Sequence, residues 1–414
     1  MLDIKYIREN VAEVKKNCSA RRLQVNVDRL LELDTVRREK IQKIDELRAG
    51  RNRGSKGKPT DEEIAAMRQV GDEIRRLEDE LELVETEYTN ILLLIPNRTH
   101  PESPVGGEED FRVVETHLDP PKFDFEAKDH ETLLTNLGLL DFERGAKVSG
   151  AKFYFVKDDL VRLNIALINY GLDIITKYGF KILETPDLAK NEVLLGAGFN
   201  PRGEEANIYE VEKHNMSLVG TAEITTLGFH ANEILDLSDG PIKYASLSHC
   251  FRTEAGAYGR TSKGLYRVHQ FSKLEMFVFC KPEESEKLHA EILEIEKEIL
   301  NGLEVPYRII DIASADLGAP AYRKYDGEAW MTMKNDYGEV TSTSNCLDFQ
   351  ARRLNIKYRN ENNQTDFVHT LNGTGIVTSR FPIILAENFQ QADGTIAIPK
   401  VLQKYMGKKF IGRD

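Results

Sequence analysis

Apolar side chains recur at steps of three and four residues through much of the first hundred positions of the chain. One such run begins at Val27, and a more regular one extends over four heptads at residues 64–95. This spacing predicts two amphipathic helices that pack along a coiled-coil seam. Thr60, followed by three acidic residues, predicts the start of the second helix, and Pro96 predicts its end. Joined by a segment rich in Gly and Pro, the two helices would form an antiparallel hairpin.

The pattern changes after this hairpin. Residues 97–121 are rich in Pro and Gly and predict a linker. Beyond it, the spacing of apolar residues predicts amphipathic helices and short strands: helices at 158–177 and 284–300, and strands near 181–183, at 274–279 and at 381–385. Such strands favour an antiparallel sheet, so the chain is expected to belong to the α+β class.

The stretch 250–279 carries the most informative chemistry. Its apolar and aromatic ends predict two paired strands around a glycine-containing loop with the cations Arg260 and Lys263. Arg252 and Glu254 are expected to point the same way, because side chains alternate along a strand. A guanidinium group suits a phosphate, and a carboxylate can accept a hydrogen bond from an exocyclic amine.

The return strand repeats this charge pairing. Arg267 and Glu275 lie on either side of Phe271, whose ring offers a flat face for a base. The whole stretch therefore predicts a site for a nucleoside triphosphate, although Arg-x-Glu alone would indicate an ordinary basic hairpin. The chain lacks the Gly-x-Gly-x-x-Gly and Gly-x-x-x-x-Gly-Lys patterns of two other kinds of nucleotide site.

The composition describes a globular protein with more than one domain. The chain has 414 residues, of which 41% are hydrophobic and 30% are charged. It has no apolar run of 18 residues and no signal-peptide core, so a membrane is not an expected partner. The four cysteines show no Cys-x-x-Cys spacing, which favours reduced thiols and a cytoplasmic protein.

The net charge of −12 argues mildly against a nucleic acid partner, but residues 48–58 carry five cations and no anion. Phosphate contacts depend on such local clusters, although a run of this kind is more often a solvated loop. The helices alone would also fit an oligomerisation coiled coil. Cations at the far end of the hairpin favour contact with an extended nucleic acid instead.

The stretch 250–279 resembles motif 2 of class II aminoacyl-tRNA synthetases, and in detail that of seryl-tRNA synthetases. Other segments resemble elements of the same family in the same order: Thr221-Ala222-Glu223, the segment Glu339-Val340-Thr341-Ser342 followed by residues 348–353, and motif 3 at residues 370–391. The similarity covers essentially the whole chain, including the N-terminal arm.

The resemblance implies an antiparallel class II synthetase sheet flanked by helices, with a helical hairpin as the N-terminal arm. It implies a tRNA-binding arm at residues 1–105 and a catalytic domain at 106–414, with motif 1, which packs dimers in this class, at 158–190. It also implies a set of site residues. The ATP-binding residues would be Arg252, Thr253, Glu254, Arg267, Val268, Phe271, Glu339, Val340, Thr341, Ser342 and Arg380. The serine-binding residues would be Thr221, Ala222, Glu223, Arg252, Glu275, Asn372 and Thr374. Mg²⁺ would be held by Glu339 and Ser342, and tRNA by Arg51, Arg53, Lys56, Arg260 and Lys263.

Within this set, Arg252 and Arg380 would be the catalytic cations on the phosphates, and Phe271 would stack on adenine. Taken alone, several of these residues have plainer interpretations. Glu339 and Ser342 could form a structural hydrogen-bonded pair, Glu223 could be a surface acid, and Thr374 could lie in a turn.

The resemblance implies activation of L-serine with ATP and transfer of the seryl group to the 3′ end of tRNA(Ser), and of tRNA(Sec) where present. The arm would contact the long variable arm of tRNA(Ser), and the enzyme would be a homodimer with no affinity for DNA. A paralogue serving a biosynthetic or antibiotic-resistance pathway would have the same active site. A non-catalytic tRNA-binding homologue would be expected to lack Arg252, Glu339 or Arg380. The chain departs from the family pattern at Thr261, Gly327, Thr332, Thr343 and Leu347.

Overall fold

The computed structural model describes residues 1–53, 60–199, 207–254 and 264–412. The chain forms two compact units, Met1–Arg98 and Thr99–Asp414. The domain boundary expected between residues 105 and 106 lies further along the chain than this division and stays a prediction.

The first unit is helical, with helices α1 (Ile4–Glu9), α2 (Val11–Ala20), α3 (Val27–Arg53) and α4 (Asp61–Leu94). The predicted start of α4 is confirmed. The Thr60 hydroxyl accepts from the Glu63 amide at 3.3 Å, and the Glu63 carboxylate accepts from the Thr60 amide at 2.8 Å. This reciprocal capping box satisfies two amide groups that have no partner inside the helix.

The two long helices form the predicted antiparallel hairpin. Ile44 of α3 packs against Ile74 and Leu77 of α4, and all three side chains are buried. Ion pairs join the two helices, and as the residue number increases along α3, the residue number of the partner on α4 decreases. The pairs are Arg29 with Glu87 (2.8 Å), Arg37 with Glu85 (3.1 Å), and Arg48 with Glu78 (2.6 Å). That order of partners is possible only if the helices run in opposite directions.

The second unit combines short helices with several sheets. Its helices are α5 (His130–Asn136), α6 (Phe142–Ser149), α7 (Asp158–Ile175), α8 (Asn191–Ala197), α9 (Ala222–Phe229), α10 (Ser285–Gly302), α11 (Phe349–Leu354), α12 (Phe381–Phe389) and α13 (Lys400–Met406). Its strands are β1 (Arg112–His117), β2 (Leu140–Asp141), β3 (Phe155–Val156), β4 (Lys181–Glu184), β5 (Leu188–Lys190), β6 (Glu210–Val211), β7 (Met216–Leu218), β8 (Ile234–Leu235), β9 (Ile242–Phe251), β10 (Gln270–Cys280), β11 (Tyr307–Asp311), β12 (Arg323–Met331), β13 (Asp336–Leu347), β14 (Lys357–Arg359), β15 (Thr365–Phe367), β16 (His369–Val377), β17 (Ile396–Ala397) and β18 (Phe410–Ile411).

An eight-stranded sheet is the centre of this unit, with strand order β1-β11-β12-β13-β16-β10-β9-β4. Its neighbours pair antiparallel except β4, which runs parallel to β9 at one edge. The main hydrophobic core includes buried residues of α7, α10 and α12 together with those of this sheet. The α+β prediction, with an antiparallel sheet flanked by helices, is confirmed.

Two local predictions were wrong. Residues 381–385 form the start of α12 rather than a strand, because Pro382 suits a first helical turn and the whole segment is buried, which removes the amphipathic signal. Residues 97–121 are not linker throughout, since they contain β1, an edge strand of the large sheet.

Candidate active site

The predicted hairpin of β9 and β10 forms one wall of the site. The two strands pair antiparallel, with Cys250 opposite Phe271. Strand β9 ends at Phe251, and Glu254 has a left-handed backbone with φ +52°. Strand alternation, as expected from the sequence, is therefore not what orients Arg252 and Glu254. The Arg252 amide instead donates to the His269 carbonyl at 3.0 Å, which holds the two ends of the hairpin together.

A cavity of about 230 Å³ lies against this hairpin. Many of the predicted nucleotide-site residues line it, together with Thr374 of the predicted serine site: Arg252, Glu254, Arg267, Val268, Phe271, Glu339, Val340, Thr374 and Arg380. A wider groove of about 840 Å³ shares Arg267, Glu339 and Arg380 with it. Side chains separated by more than a hundred positions in the sequence thus meet around one space.

Each of the two arginines predicted to contact phosphate lies over an aromatic ring. The Arg252 guanidinium is 5.3 Å from the centre of the Phe271 ring, and that of Arg380 is 5.0 Å from the centre of the Tyr266 ring. Planar guanidinium groups stack well on aromatic faces. Arg267 pairs with the Glu254 carboxylate at 2.9 Å. These contacts set the directions of the cations in the cavity.

A β-bulge in β13 places Glu339 and Ser342 on the same face of the sheet. In an ordinary strand, residues three apart face opposite sides. Here Glu339 pairs with Glu328 and Ser342 pairs with Asp326, so one additional residue lies within β13 between these two pairs. A pair of oxygen ligands must lie on the same face of the sheet. The bulge provides this arrangement, which a regular strand with the same spacing of three would not.

Glu339 is held in its ionised form. Arg380 contacts its carboxylate at 3.0 Å and donates to its backbone carbonyl at 2.9 Å. Burial opposes ionisation, but the charges of Arg380, Lys324 and Arg252 outweigh it and lower the pKa of Glu339. An ionised carboxylate beside a serine hydroxyl is a suitable partner for a hard cation such as Mg²⁺.

The start of α9 supplies a buried carboxylate. Thr221 caps this helix, its hydroxyl accepting from the Glu223 amide at 3.3 Å, and both residues are buried. Glu223 accepts a hydrogen bond of 2.6 Å from the Gln350 side chain. Burial, reinforced by the charge of Glu275, raises the pKa of Glu223 to about 7. Glu223 is therefore not the surface acid that it could have been from its sequence alone.

Strands β10 and β16 supply the other side of this pocket. Glu275 is buried and forms an ion pair with Lys273, and burial raises its pKa. Thr374 lies directly opposite Glu275 in the ladder, within β16 rather than in a turn, and Asn372 lies two positions before it. Two buried carboxyl groups, of which Glu275 raises the pKa of Glu223, form a pocket suited to a cation.

The chain was compared with known families and structures. Residues 1–99 match the model of the seryl-tRNA synthetase N-terminal domain, and residues 208–389 match that of the class II tRNA synthetase core domain (G, H, P, S and T). The serine–tRNA ligase of Treponema denticola is 51% identical over 422 residues, with both chains covered completely. The chain belongs to the seryl-tRNA synthetase family.

Solved structures of this family agree with the fold. The seryl-tRNA synthetase of Pyrococcus horikoshii, crystallised with ATP, is 40% identical, with a TM-score of 0.92 and 99% of each chain covered. The cytoplasmic serine–tRNA ligase of Naegleria fowleri, in complex with AMP, is 34% identical with a TM-score of 0.87, covering 99% of this chain and 98% of that one.

Some of the residues predicted for the site of this seryl-tRNA synthetase family member do not line the cavity or lie outside the described ranges. Thr253 contacts Asn207, and Thr341 is buried on the opposite face from Ser342. In the arm, Arg51 is exposed near the end of α3, and Arg53 is the last residue of that helix. Lys56, Arg260 and Lys263, like the departure at Thr261, lie outside the described residues.

Three of the family departures have clear contacts. The Thr332 hydroxyl donates to the Glu387 carbonyl at 3.3 Å, and the Thr343 hydroxyl donates to the Asn372 carbonyl at 2.8 Å. Leu347 is buried with a left-handed backbone, φ +49°, and its amide donates to the Asn345 side chain at 3.0 Å. The two threonine contacts tie β13 and the turn before it to β16 and α12, and the Leu347 contact lies within β13.

Several residues of the site were missed from the sequence. Lys273 was detectable, because it lies two positions before Glu275 on the same strand. Gln350, which holds Glu223, lies inside a segment that the resemblance covers, but only burial reveals its role. Glu387 lies inside the predicted motif 3, but His130 gave no sequence signal, and the contact between the two residues spans 257 positions.

The His130 ring contacts the backbone at Gly264 and Leu265, the first residues of the described range 264–412. Its Nδ1 lies 2.8 Å from the Glu387 carboxylate, so its Nε2 accepts from the Leu265 amide at 3.1 Å. Gly264 has φ +64°, and a Cβ there would come within 2.1 Å of the His130 ring. Only glycine allows the backbone at position 264 to come this close to the His130 ring. Two residues further along, Tyr266 lies next to Arg380.

The described ranges lack two kinds of feature. Neither unit contains, among its described residues, a helix long and apolar enough to cross a membrane. In the same ranges, no group of three or more His, Cys, Asp or Glu side chains is arranged to hold a metal ion. Mg²⁺ bound with nucleotide typically uses one or two protein carboxylates plus phosphate oxygens, and Glu339 with Ser342 fits that smaller requirement.

Proposed function

We propose that the chain activates L-serine with ATP to form seryl-adenylate and transfers the seryl group to the 3′ end of tRNA(Ser), and of tRNA(Sec) where present. The position of Arg252 is the observation that carries this proposal. Its guanidinium lines the nucleotide cavity, and its charge acts on Glu223 and Glu275 on one side and on Glu339 on the other. A cation in that position can contact two substrates where they react.

In activation, a serine carboxylate oxygen attacks the α-phosphorus of ATP, and pyrophosphate leaves. The nucleophile is already an anion, so the site needs no general base and must supply alignment and positive charge. Arg252 would bridge the serine carboxylate and the α-phosphate. Arg380, fixed by Glu339 and Tyr266, would face the γ-phosphate. Lys273, which also lines the cavity, adds a further positive charge.

The nucleotide base would lie on Phe271, with the Arg380 guanidinium on its other face. Glu254 would accept from the adenine amine, and its ion pair with Arg267 fixes its direction. The remaining residues assigned to ATP would shape the walls: Thr253, Val268, Val340 and Thr341. Stacking of this kind selects a flat base, and the carboxylate selects a base with an exocyclic amine.

Glu339 and Ser342 would hold Mg²⁺ against the phosphates. When bound, the ion neutralises charge on the phosphate oxygens and favours departure of pyrophosphate. The part played by the chain itself is to keep Glu339 ionised through its basic neighbours and to bring Ser342 onto the same face by the bulge in β13.

Serine would bind between α9 and β10. Glu223 and Thr221 would recognise the ammonium group, and Glu275 and Thr374 the hydroxyl group, with Ala222 and Asn372 bracing the pocket. Placing a substrate ammonium near two buried carboxyl groups relieves their mutual repulsion. Alanine would leave buried polar groups unpaired and is expected to be rejected strongly.

The tRNA contacts are assigned to two sets of cations. Arg51, Arg53 and Lys56 at the end of the arm would contact the long variable arm of tRNA(Ser), and Arg260 and Lys263 its acceptor end. The support is the matched N-terminal domain and the local excess of positive charge, which suits phosphate. The arm is assigned to residues 1–105 and the catalytic domain to 106–414.

A homodimer and a cytoplasmic location complete the proposal. Helix α7 leaves Val161 and Ile165 exposed, four positions apart on one face, and Ile182 is exposed on the edge strand β4. Apolar side chains exposed on an edge strand and on the helix that precedes it in the chain are suited to burial against a second copy. The four cysteines are buried, and none of them forms a disulfide bond within the described residues, as suits a reducing compartment.

The deciding experiment is aminoacylation of total tRNA by the purified protein, with each amino acid offered in turn. Serine-specific charging is the expected result. Serine-dependent pyrophosphate exchange without charging would instead indicate a pathway paralogue with a different acceptor, and the absence of both activities would refute the proposal.

A further inference from the structure

Helix α10 carries a carboxyl group on its buried face. Its other buried residues include Leu288, Ile292, Ile295 and Ile299, which form an apolar stripe against the sheet, but Glu296 in the same stripe has no exposed surface. Burying a carboxyl group is costly unless its hydrogen bonds are replaced. The position therefore calls for a reason beyond packing.

The Glu296 side chain lies where two strands of the active site separate. The ladder between β13 and β16 ends at the pair Thr343 and Gly373, so Ser342 and Thr374 do not pair. The Thr374 amide donates instead to Glu296 Oε1 at 3.0 Å. The carboxyl group thus replaces the partner that the neighbouring strand would normally provide.

The strand on the other side is also adapted to this carboxyl group. The Thr341 hydroxyl of β13 lies close enough to act on the pKa of this carboxyl group, and neither this hydroxyl nor Glu296 Oε2, both of them buried, makes a hydrogen bond of good geometry. Gly327 lies opposite Thr341 in the ladder, and a Cβ at that position would come within 2.3 Å of the Thr341 hydroxyl. Gly327, one of the positions at which the chain departs from the family pattern, therefore leaves room for the Thr341 hydroxyl.

We propose that Glu296 is a positioning residue for the serine pocket: its carboxyl group, inserted between β13 and β16, fixes Thr374 relative to the strand that carries Ser342. This inference deepens the proposed function and rests on it. Glu296 is not among the residues assigned to ATP or to serine. It acts through the Thr374 amide, which sits on the strand directly opposite Glu275.

The protonation state agrees with this role. Burial raises the pKa of Glu296 well above its usual range, and the charges of Asp326 and Glu275 raise it further, while the Thr341 hydroxyl and the Thr374 amide act in the opposite direction. A neutral carboxylic acid can accept from the Thr374 amide and donate to the Thr341 hydroxyl at the same time. Glutamine has the same two capacities.

The test compares Glu296→Gln with Glu296→Met in serine-dependent pyrophosphate exchange. Gln keeps one acceptor and one donor, so the KM for serine is expected to stay within roughly twofold of the original. Met fills a similar volume but can neither accept from the Thr374 amide nor pair with the Thr341 hydroxyl, so the KM for serine should rise roughly tenfold while the KM for ATP stays nearly unchanged. Thermal unfolding is measured on the same samples.

Two matched variants of α10 serve as controls. Glu294→Ala removes an exposed carboxylate and should change neither the KM for serine nor the Tm. Ile299→Ala creates a cavity on the buried face, and it should lower the Tm without a selective effect on the KM for serine. An unchanged KM for serine in Glu296→Met, or equal rises in Gln and Met, would overturn the inference. Absence of serine-dependent exchange in the unmodified protein would overturn the proposed function instead.

Discussion

The helical arm and the catalytic unit use charged side chains in opposite ways. In the arm, Arg29 and Glu87 pair across the hairpin while 43% and 47% of their side chains remain exposed. In the catalytic unit, Glu223 and Glu275 are buried, the charge of Glu275 acts on Glu223, and the charge of Arg252 acts on both. Water screens the first kind of pair, so it contributes little, whereas buried charges interact strongly.

This difference separates stability from chemistry. The arm is held mainly by its apolar seam, and its surface charges can be exchanged at low cost. The active site keeps carboxyl groups whose burial is unfavourable, and this cost is acceptable where a substrate cation is bound. Changes in the two units should therefore produce effects that can be separated by measuring amino acid activation and tRNA charging independently.

The largest effect is expected from Arg252→Ala. Removing the cation between the two substrates should lower kcat/KM for serine-dependent pyrophosphate exchange on the order of 10²–10³-fold. The matched control is Arg29→Ala, which removes an arginine of the arm and should leave pyrophosphate exchange unchanged. Near-normal exchange in Arg252→Ala would remove this residue from its assigned role.

The seam should respond strongly in stability but not in chemistry. Leu77→Ala removes a side chain that is only 5% exposed, and it should cost about 2–5 kcal/mol of local stability. Hydrogen exchange of α4 amides measures this loss directly. Leu83→Ala is the control on the same helix, because Leu83 is 74% exposed. A loss of pyrophosphate exchange in Leu77→Ala would contradict the separation of the two units.

Glu223 should make serine use depend on pH. A carboxyl group with a pKa near 7 is largely protonated below that pH, and only the ionised form pairs with the serine ammonium. kcat/KM for serine should therefore rise with pH up to about 7. Glu223→Gln should lower kcat/KM and flatten this part of the profile, and a profile unchanged in shape would assign the ionisation to another group.

The same pKa has a consequence for stability with a definite sign. The folded protein keeps the proton of Glu223 while the unfolded chain releases it near pH 4.5, so the free energy of unfolding falls as pH rises from about 4.5 to 7. Below that window both states are protonated. Glu223→Gln removes this part of the pH dependence, which denaturant unfolding of the two proteins at several pH values can measure.

The smallest effect is expected at the end of the arm. Neutralising Arg51, Arg53 and Lys56 should weaken tRNA charging and reduce its salt dependence by about one unit of log–log slope for each cation lost. Pyrophosphate exchange should be unaffected, because that reaction needs no tRNA. Arg29→Ala, whose cation is paired with Glu87, is again the control. An unchanged salt dependence would assign these cations to solvent.

Prediction from the sequence succeeded where the signal is local. The hairpin was predictable because apolar residues recur at steps of three and four in both α3 and α4, more regularly in α4, and Thr60 with Glu63 specifies a helix start within four residues. The prediction at residues 381–385 failed because a helix buried on all sides has no polar face to reveal its period. Motif resemblance identified the family and most of the side chains that line the cavity.

The sequence by itself determined the helical arm, the α+β class and the kinds of side chain available to the site. Tertiary structure alone decided how those side chains meet: the bulge that brings Ser342 beside Glu339, the burial that raises the pKa of Glu223, and the insertion of Glu296 between two strands. The physical reason is the distance along the chain over which each kind of interaction acts. Periodicity and capping act within a few turns of backbone, whereas desolvation and charge coupling depend on which distant segments of the chain exclude water from the same space.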